Sequence, residues 1–303
     1  MLRKPQVILT SLIAGLLLAL VYLGVGRLPQ RLRYAVLWIF AKIVFSFWKS
    51  RRELIIHNLF LVKPGLINDP KDAAWINFKT LVHSYSTLLG TEKADLAEVR
   101  SRIVGAEALI KACSEGEIVA VFPHVGDLNA LMSVLSALGL QAFIPAEGIH
   151  PILFKTLSGL RARHGNIEFS PVRKGKTKEV CIQKLAEGKI VGLAMDITTQ
   201  PGKGVEFTIG NGTADFRVGA VEIAMRQKAA FFLVFPHWDG KKMSLAIEPF
   251  NLDYNLSVDE NVRRILKEYS PYLQANVLHW WRLAFMEMRL AIESAQELGF
   301  TGR

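Results

Sequence analysis

The chain is expected to fold as an α/β protein, a mixed, partly parallel sheet flanked by helices, with an N-terminal transmembrane helix. Three observations carry that expectation. Short β-branched apolar runs alternate with helical stretches, the pattern of strand–helix–strand units. Hydrophobic residues make up 50% of the 303 residues, enough for a sizeable core. A long uncharged run stands near the start of the chain.

That run, Val7 to Gly26, reads VILTSLIAGLLLALVYLGVG. About 20 helical residues reach about 30 Å, the thickness of a bilayer's hydrocarbon layer. Arg27, Arg31 and Arg33 follow it where a cleaved signal peptide would carry a small-residue cleavage site, so a retained anchor is the expectation. Positive residues favour the cytoplasmic side. The flanking Lys42, Lys49, Arg51 and Arg52 therefore orient the body inward, as a single-pass protein of the inner (cytoplasmic) membrane. A shorter apolar stretch, Tyr34–Trp48, is interrupted by Lys42. It suits a helix lying in the membrane interface, or equally one packed on the body. Residues 1–52 thus form an anchor and interfacial helix, and 53–303 the globular body.

The body is predominantly helical from 53 to 95, broken by Pro64-Gly65 and Asn68-Asp69-Pro70. Gly116–Phe122 is a buried strand stopped by Pro123, followed by the loop His124-Val125-Gly126. Asp127 occupies an N-cap position before the helix Leu128–Leu138, which Gly139 closes. A strand at Gln141–Ile144, a basic helix at Pro151–His164 and a helix at Thr177–Glu187 come next. The strand Lys189–Met195 then ends at Asp196. Gln200–Gly204 is a loop, Val218–Arg226 a helix, Ala230–Pro236 and Met243–Ile247 strands, and Asp259–Leu298 an amphipathic helix.

Composition narrows the function classes. Lys+Arg number 37 against 27 Asp+Glu, a net charge of +10, which points to an acidic partner. No basic–aromatic interleaving or binding module supports nucleic acid, so an anionic membrane surface is the partner expected. Cys113 and Cys181 have no neighbours at metal-ligand spacing and read as reduced structural thiols; neither a metal nor a cofactor is expected.

His124 follows a buried strand and precedes a helix, where α/β sheets place ligands. A histidine there can act as general base on a hydroxyl if a neighbour fixes its tautomer. Asp127 and Asn129 are the nearby candidates; Asp127 is also read as a simple helix cap. No Gly-x-Ser-x-Gly elbow argues for a hydrolase.

The block Phe122-Pro123-His124-Val125-Gly126-Asp127-Leu128-Asn129 resembles the His-x-x-x-x-Asp/Glu block of the lysophospholipid acyltransferase superfamily. It is most similar to the lipid A biosynthesis lauroyl/myristoyl acyltransferase family. Other segments resemble that family in order: Arg52–Pro64 with Asn58-Leu59, Arg161-Ala162-Arg163, Val191–Asp196 followed by Pro201-Gly202 and Val205, and Tyr272–Trp281 with Leu278-His279. The resemblance implies a glycerol-phosphate acyltransferase-like fold and a membrane-bound O-acyltransferase. In such an enzyme His124 deprotonates a hydroxyl of a lipid or glycolipid acceptor, which attacks the thioester of an acyl carrier protein or acyl-CoA. It implies further that Arg161, Arg163, Asp196 and Lys203 bind substrate. The sequence departs from the family pattern in three places. Asn129, an amide, stands at the acidic position; Ile197 replaces the usual Gln; and Trp280-Trp281 replace paired arginines after His279. Those departures keep open a catalytically inactive relative that retains the fold and binds lipid.

Overall fold

The computed structural model describes residues 24–66, 69–90, 95–146, 151–163, 165–173 and 175–291. The expected membrane span falls outside these residues except for Gly24–Gly26, which enter a 3-10 turn at Val25–Arg27. Among the described residues no helix is long and apolar enough to cross a membrane.

Three helices come first: α1 (Gln30–Phe47), α2 (Lys49–Val62) and α3 (Pro70–Leu89). The start of α3 is set by Asp69, whose carboxylate accepts the N–H groups of Lys71 and Asp72, with Pro70 in the first turn. After α4 (Leu96–Arg100) the sheet begins. Its elements run β1 (Ile103–Val104), α5 (Ala106–Glu115), β2 (Ile118–Phe122), α6 (Ala130–Ala137), β3 (Ala142–Ala146), α7 (Pro151–Ala162), β4 (Ile167–Pro171), α8 (Thr177–Ala186) and β5 (Ile190–Ala194). A hairpin, β6 (Val205–Ile209) and β7 (Gly212–Phe216), precedes α9 (Gly219–Gln227), β8 (Ala230–Trp238), β9 (Met243–Phe250) and α10 (Val258–Ala275). Ser257 and Glu260 form a reciprocal capping box at the start of α10.

The α/β expectation holds. The main sheet has seven strands in the order β1-β9-β8-β2-β5-β3-β4. Every pairing in it is parallel except β8 with β9. Period-two alternation splits its side chains between two layers. Val119, Val121, Val191, Phe231 and Leu233 face one buried cluster, covered by α1–α3 and α8–α10. Ile118, Ala120, Ile190, Phe232 and Val234 face the other, covered by α5 and α6.

One feature departs from expectation. Helix α10 stops at Ala275, not near Leu298. Asn276 turns its amide back onto the Tyr272 carbonyl, and the chain continues through 3-10 turns at Val277–His279 and Trp281–Ala284. A short strand, β10 (Arg289–Leu290), then pairs antiparallel with β7 to give a second, three-stranded sheet. Helix α1 packs on the body, one of the two settings expected for the stretch Tyr34–Trp48. Leu37, Ala41 and Val44 belong to the same buried cluster as the sheet, and Phe45 packs against Trp75 and Phe78 of α3.

Candidate functional site

The parallel register of β2 and β5 pairs Phe122 with Ala194. His124 and Asp196 therefore emerge side by side, each two residues past the paired ends of neighbouring strands. Pro123 has no N–H to continue the ladder, so the chain turns outward there. Gly126 completes the turn at φ +70°, where a Cβ would sit 2.7 Å from Cβ of Trp238. Only glycine fits both the left-handed conformation and that close approach.

Asp196 is buried and accepts three hydrogen bonds. Its Oδ1 lies 2.6 Å from Nδ1 of His124. Its Oδ2 accepts the His124 backbone N–H and the Trp280 indole N–H, both at 2.7 Å. Burial alone would push this carboxyl up; the adjacent His124, its two hydrogen bonds and Arg282 outweigh that and hold it below the usual carboxylate range. A carboxylate against Nδ1 keeps the proton on that nitrogen and leaves the lone pair on Nε2. Among the described residues Nε2 has no hydrogen-bond partner, and the side chain is 15% exposed.

The flanks of the imidazole are apolar. The Trp281 ring meets it edge-to-face at 4.5 Å, and Phe122 lies 6.3 Å away. Trp281 arrives on the segment after α10, which is stitched to the His124 loop. Val125 bridges Trp280, Gly126 N–H donates to the His279 carbonyl, and Trp281 N–H donates to the His124 carbonyl. Two buried amides clamp that segment from the other side. Asn58 of α2 donates to the carbonyls of Leu283 and Met286, and Asn77 of α3 to those of Val277 and Trp280.

The expected supports of His124 lie elsewhere. Asp127 faces α3, accepting the Thr87 hydroxyl and the backbone N–H groups of Asn129 and Ala130. It closes the turn that leads into α6, and burial pushes its carboxyl up despite those hydrogen bonds and one from Ser84. Asn129 donates to the carbonyl and hydroxyl of Ser84 and accepts the Arg161 Nε–H at 3.1 Å. Neither touches the imidazole: both side chains leave the loop towards α3, whereas Nδ1 points across the strand ends. The acid on the imidazole is Asp196, 72 residues away in sequence.

Of the expected substrate cations, Arg161 is partly buried, stacked over the Phe169 ring and tied to Asn129. Burial pushes its guanidinium down, with Tyr85 opposing. Arg163 and Lys203 are exposed on loops. A cleft of about 200 Å³ with Arg173, Lys176 and Thr177 in its lining opens beside Pro145 and Pro171, at the carboxyl ends of β3 and β4, the end of the strands from which His124 also emerges on central β2. A larger depression, about 450 Å³ and lined by Gln141, Gly165 and Lys189, lies at the other, amino-terminal end of the same strands. Among the described residues, no group of His, Cys, Asp or Glu could hold a metal ion. Sequence reasoning missed Trp280, Asn77 and Arg282 as parts of this centre. Trp280 occupies, and Arg282 directly follows, the place where paired arginines were expected, a signal that could have drawn attention to them.

No protein-family model matches the chain, and no curated protein matches it. Among solved structures, the crystal structure of the pilus retraction motor PilT with bound ADP is similar at 10% identity, over 68% of this chain and 67% of that one. Its TM-score of 0.31 is too low to carry any inference.

Proposed function

We propose that the chain is a membrane-bound O-acyltransferase, moving a fatty-acyl group from an acyl thioester to a hydroxyl of a lipid or glycolipid. The observation that carries this reading is the His124–Asp196 pair at the carboxyl ends of parallel strands, with Nδ1 held at 2.6 Å and Nε2 without a partner among the described residues. A neutral imidazole so oriented is a general base poised for a proton outside the protein.

The proposed reaction balances without a cofactor. Nε2 takes the proton of the acceptor hydroxyl as its oxygen attacks the thioester carbonyl. The tetrahedral intermediate then breaks its C–S bond, and the departing thiolate takes the proton back from the imidazolium. Asp196 remains ionised throughout and stabilises the transient imidazolium. Phe122 and Trp281 give the acyl chain an apolar approach, while Arg161 or the Arg173–Lys176 cleft can hold a phosphate of donor or acceptor. The resemblance to the lipid A lauroyl/myristoyl acyltransferases, and with it a glycerol-phosphate acyltransferase-like fold, an acyl carrier protein or acyl-CoA donor and an inner-membrane location, supports the same reading.

Incubating the purified chain with acyl thioesters and mixed bacterial lipids tests it. Transfer that disappears in His124→Ala supports the enzyme. Equal background in wild type and mutant would leave the alternative favoured by the amide at 129, an inactive member of this fold that binds lipid.

A further inference from the structure

Helix α1 is apolar on two faces, yet the described residues cover only one of them. Its inner face sets Leu37, Ala41 and Val44 into the core. Its outer face carries Leu32, Ala35, Ile39, Ile43 and Phe47, spaced three or four residues apart and so aligned in one stripe. Leu32 and Ile39 are each 57% exposed, Ile43 53% and Phe47 76%, and Phe60 of α2 adds a further large apolar side chain at 55%. A helix hydrophobic all round belongs in an apolar surround, and an apolar stripe of this length on a free surface marks an interaction site.

Charge identifies what covers it. From Arg27 to Arg52 the chain contains no acidic residue, while Arg31, Lys42, Lys49 and Arg52 border the stripe. Lys42, on that border, folds over the Trp75 ring, with its ammonium 4.0 Å from the centroid, so the stripe stays apolar. Tryptophan beside lysine at the rim of an apolar face is the composition of a helix seated at headgroup level. Lys49 is paired with Glu53 at 3.6 Å, but the border keeps a net positive charge, so self-association through this face would bring two cationic borders together, which an anionic bilayer neutralises.

We infer that the outer face of α1, with Phe60, is a second membrane contact that lies in the interface of an anionic bilayer, in addition to any span formed by Val7–Gly26. The contact sits one helix layer from the candidate site, because α3 packs against α1 on one side and holds Asp127 and Asn129 through Thr87 and Ser84 on the other. It would set His124 at a fixed height above the lipid surface. The inference rests on exposure and charge and stands whether or not the acyl-transfer reading is right.

Nitroxide accessibility in the full chain tests it. Single cysteines replacing Ile39, Ile43 and Phe47, with Glu107→Cys on α5 as control, are made in a Cys113→Ser, Cys181→Ala background. The labelled proteins are reconstituted into phosphatidylglycerol–phosphatidylcholine vesicles. At 39, 43 and 47, relaxation by oxygen is expected to exceed relaxation by a water-soluble nickel chelate several-fold, with the ratio reversed at 107. Chelate access at the three sites equal to that at 107 would overturn the inference. So would protection from both reagents: with dipolar broadening between labels it would mean that a second copy covers the face, and without broadening that another part of the chain does.

Discussion

Replacing Asp196 with asparagine tests the geometry of the site most directly. The carboxylate accepts the His124 Nδ1–H on one oxygen and two further donors, the His124 backbone N–H and the Trp280 indole N–H, on the other. An amide has one oxygen and one NH2 group and cannot receive all three. If its oxygen stays with the two donors, the NH2 faces Nδ1 and draws the lone pair to that nitrogen. Nε2 then carries the proton and cannot act as a base. If the amide flips, two buried donors face an NH2, costing roughly 1–3 kcal/mol each. The first arrangement is the cheaper one, so the ring is expected in the wrong tautomer. In serine proteases the corresponding change behind a catalytic histidine costs about 10⁴ in turnover, which sets the scale. Turnover should fall by roughly 10³–10⁴, equivalent to about 4–5.5 kcal/mol of barrier, with little change in KM. Thiol release from an acyl thioester in the presence of lipid acceptor measures the rate. Nitrogen-15 chemical shifts of the His124 ring report the tautomer, which a merely structural role for Asp196 would leave alone. An Asp196→Asn enzyme within tenfold of wild type, in a preparation where His124→Ala is dead, would refute the assignment of Asp196 as the orienting acid.

Three further outcomes are expected. Asp127→Asn should keep turnover within a few-fold, because Asp127 closes the turn before α6 and does not touch His124. Burial raises its carboxyl, so the wild type loses stability as pH climbs from the ordinary carboxylate range through that raised value; urea melts from pH 4 to 7 should show the variant gaining on the wild type over this interval. Asn129→Asp, despite restoring the acidic residue of the resembling family, should not accelerate transfer. It would set a carboxylate oxygen against the Ser84 carbonyl that the amide now donates to, a cost of roughly 1–3 kcal/mol, partly offset by Arg161; kcat with a denaturation midpoint checks both parts. His83, depressed to about 4 by burial and then by Lys79 and His279, should make the fold acid-sensitive. The unfolded ring titrates near ~6.5, so the contribution of the neutral ring is complete above that and lost as pH falls through the interval towards about 4. Partial exposure limits the effect to roughly 1–2 kcal/mol, and His83→Gln should show a shallower loss of thermal midpoint between pH 7 and 4.5.

Much of the sheet was legible because its strands are short β-branched runs with clear stops, Pro123 after β2 and Asp196 after β5. The position of His124 followed from the same signals. What could not be read was which acid meets its ring. Local spacing put Asp127 and Asn129 forward, whereas the answer depends on the pairing of Phe122 with Ala194, a contact between distant segments that no local pattern encodes. The β6–β7 hairpin went unread although Gly210-Asn211 at its tip, with Gly210 at φ +62°, is a two-residue turn signal. The end of α10 was misjudged because its amphipathic pattern runs on past Ala275; tertiary contacts from Asn58 and Asn77 claim the carbonyls of the segment beyond it.

Those two asparagines also bear on biogenesis. They lie on helices made early, and the stretch they grip supplies the Trp280 donor to Asp196 and the Trp281 wall beside His124. A ribosome-bound chain that has completed the main sheet therefore still lacks a fully braced imidazole. Competence for chemistry would switch on only when residues 277–288 emerge and dock, so carboxy-terminal truncations reaching that stretch should leave secondary structure largely intact while disabling the centre.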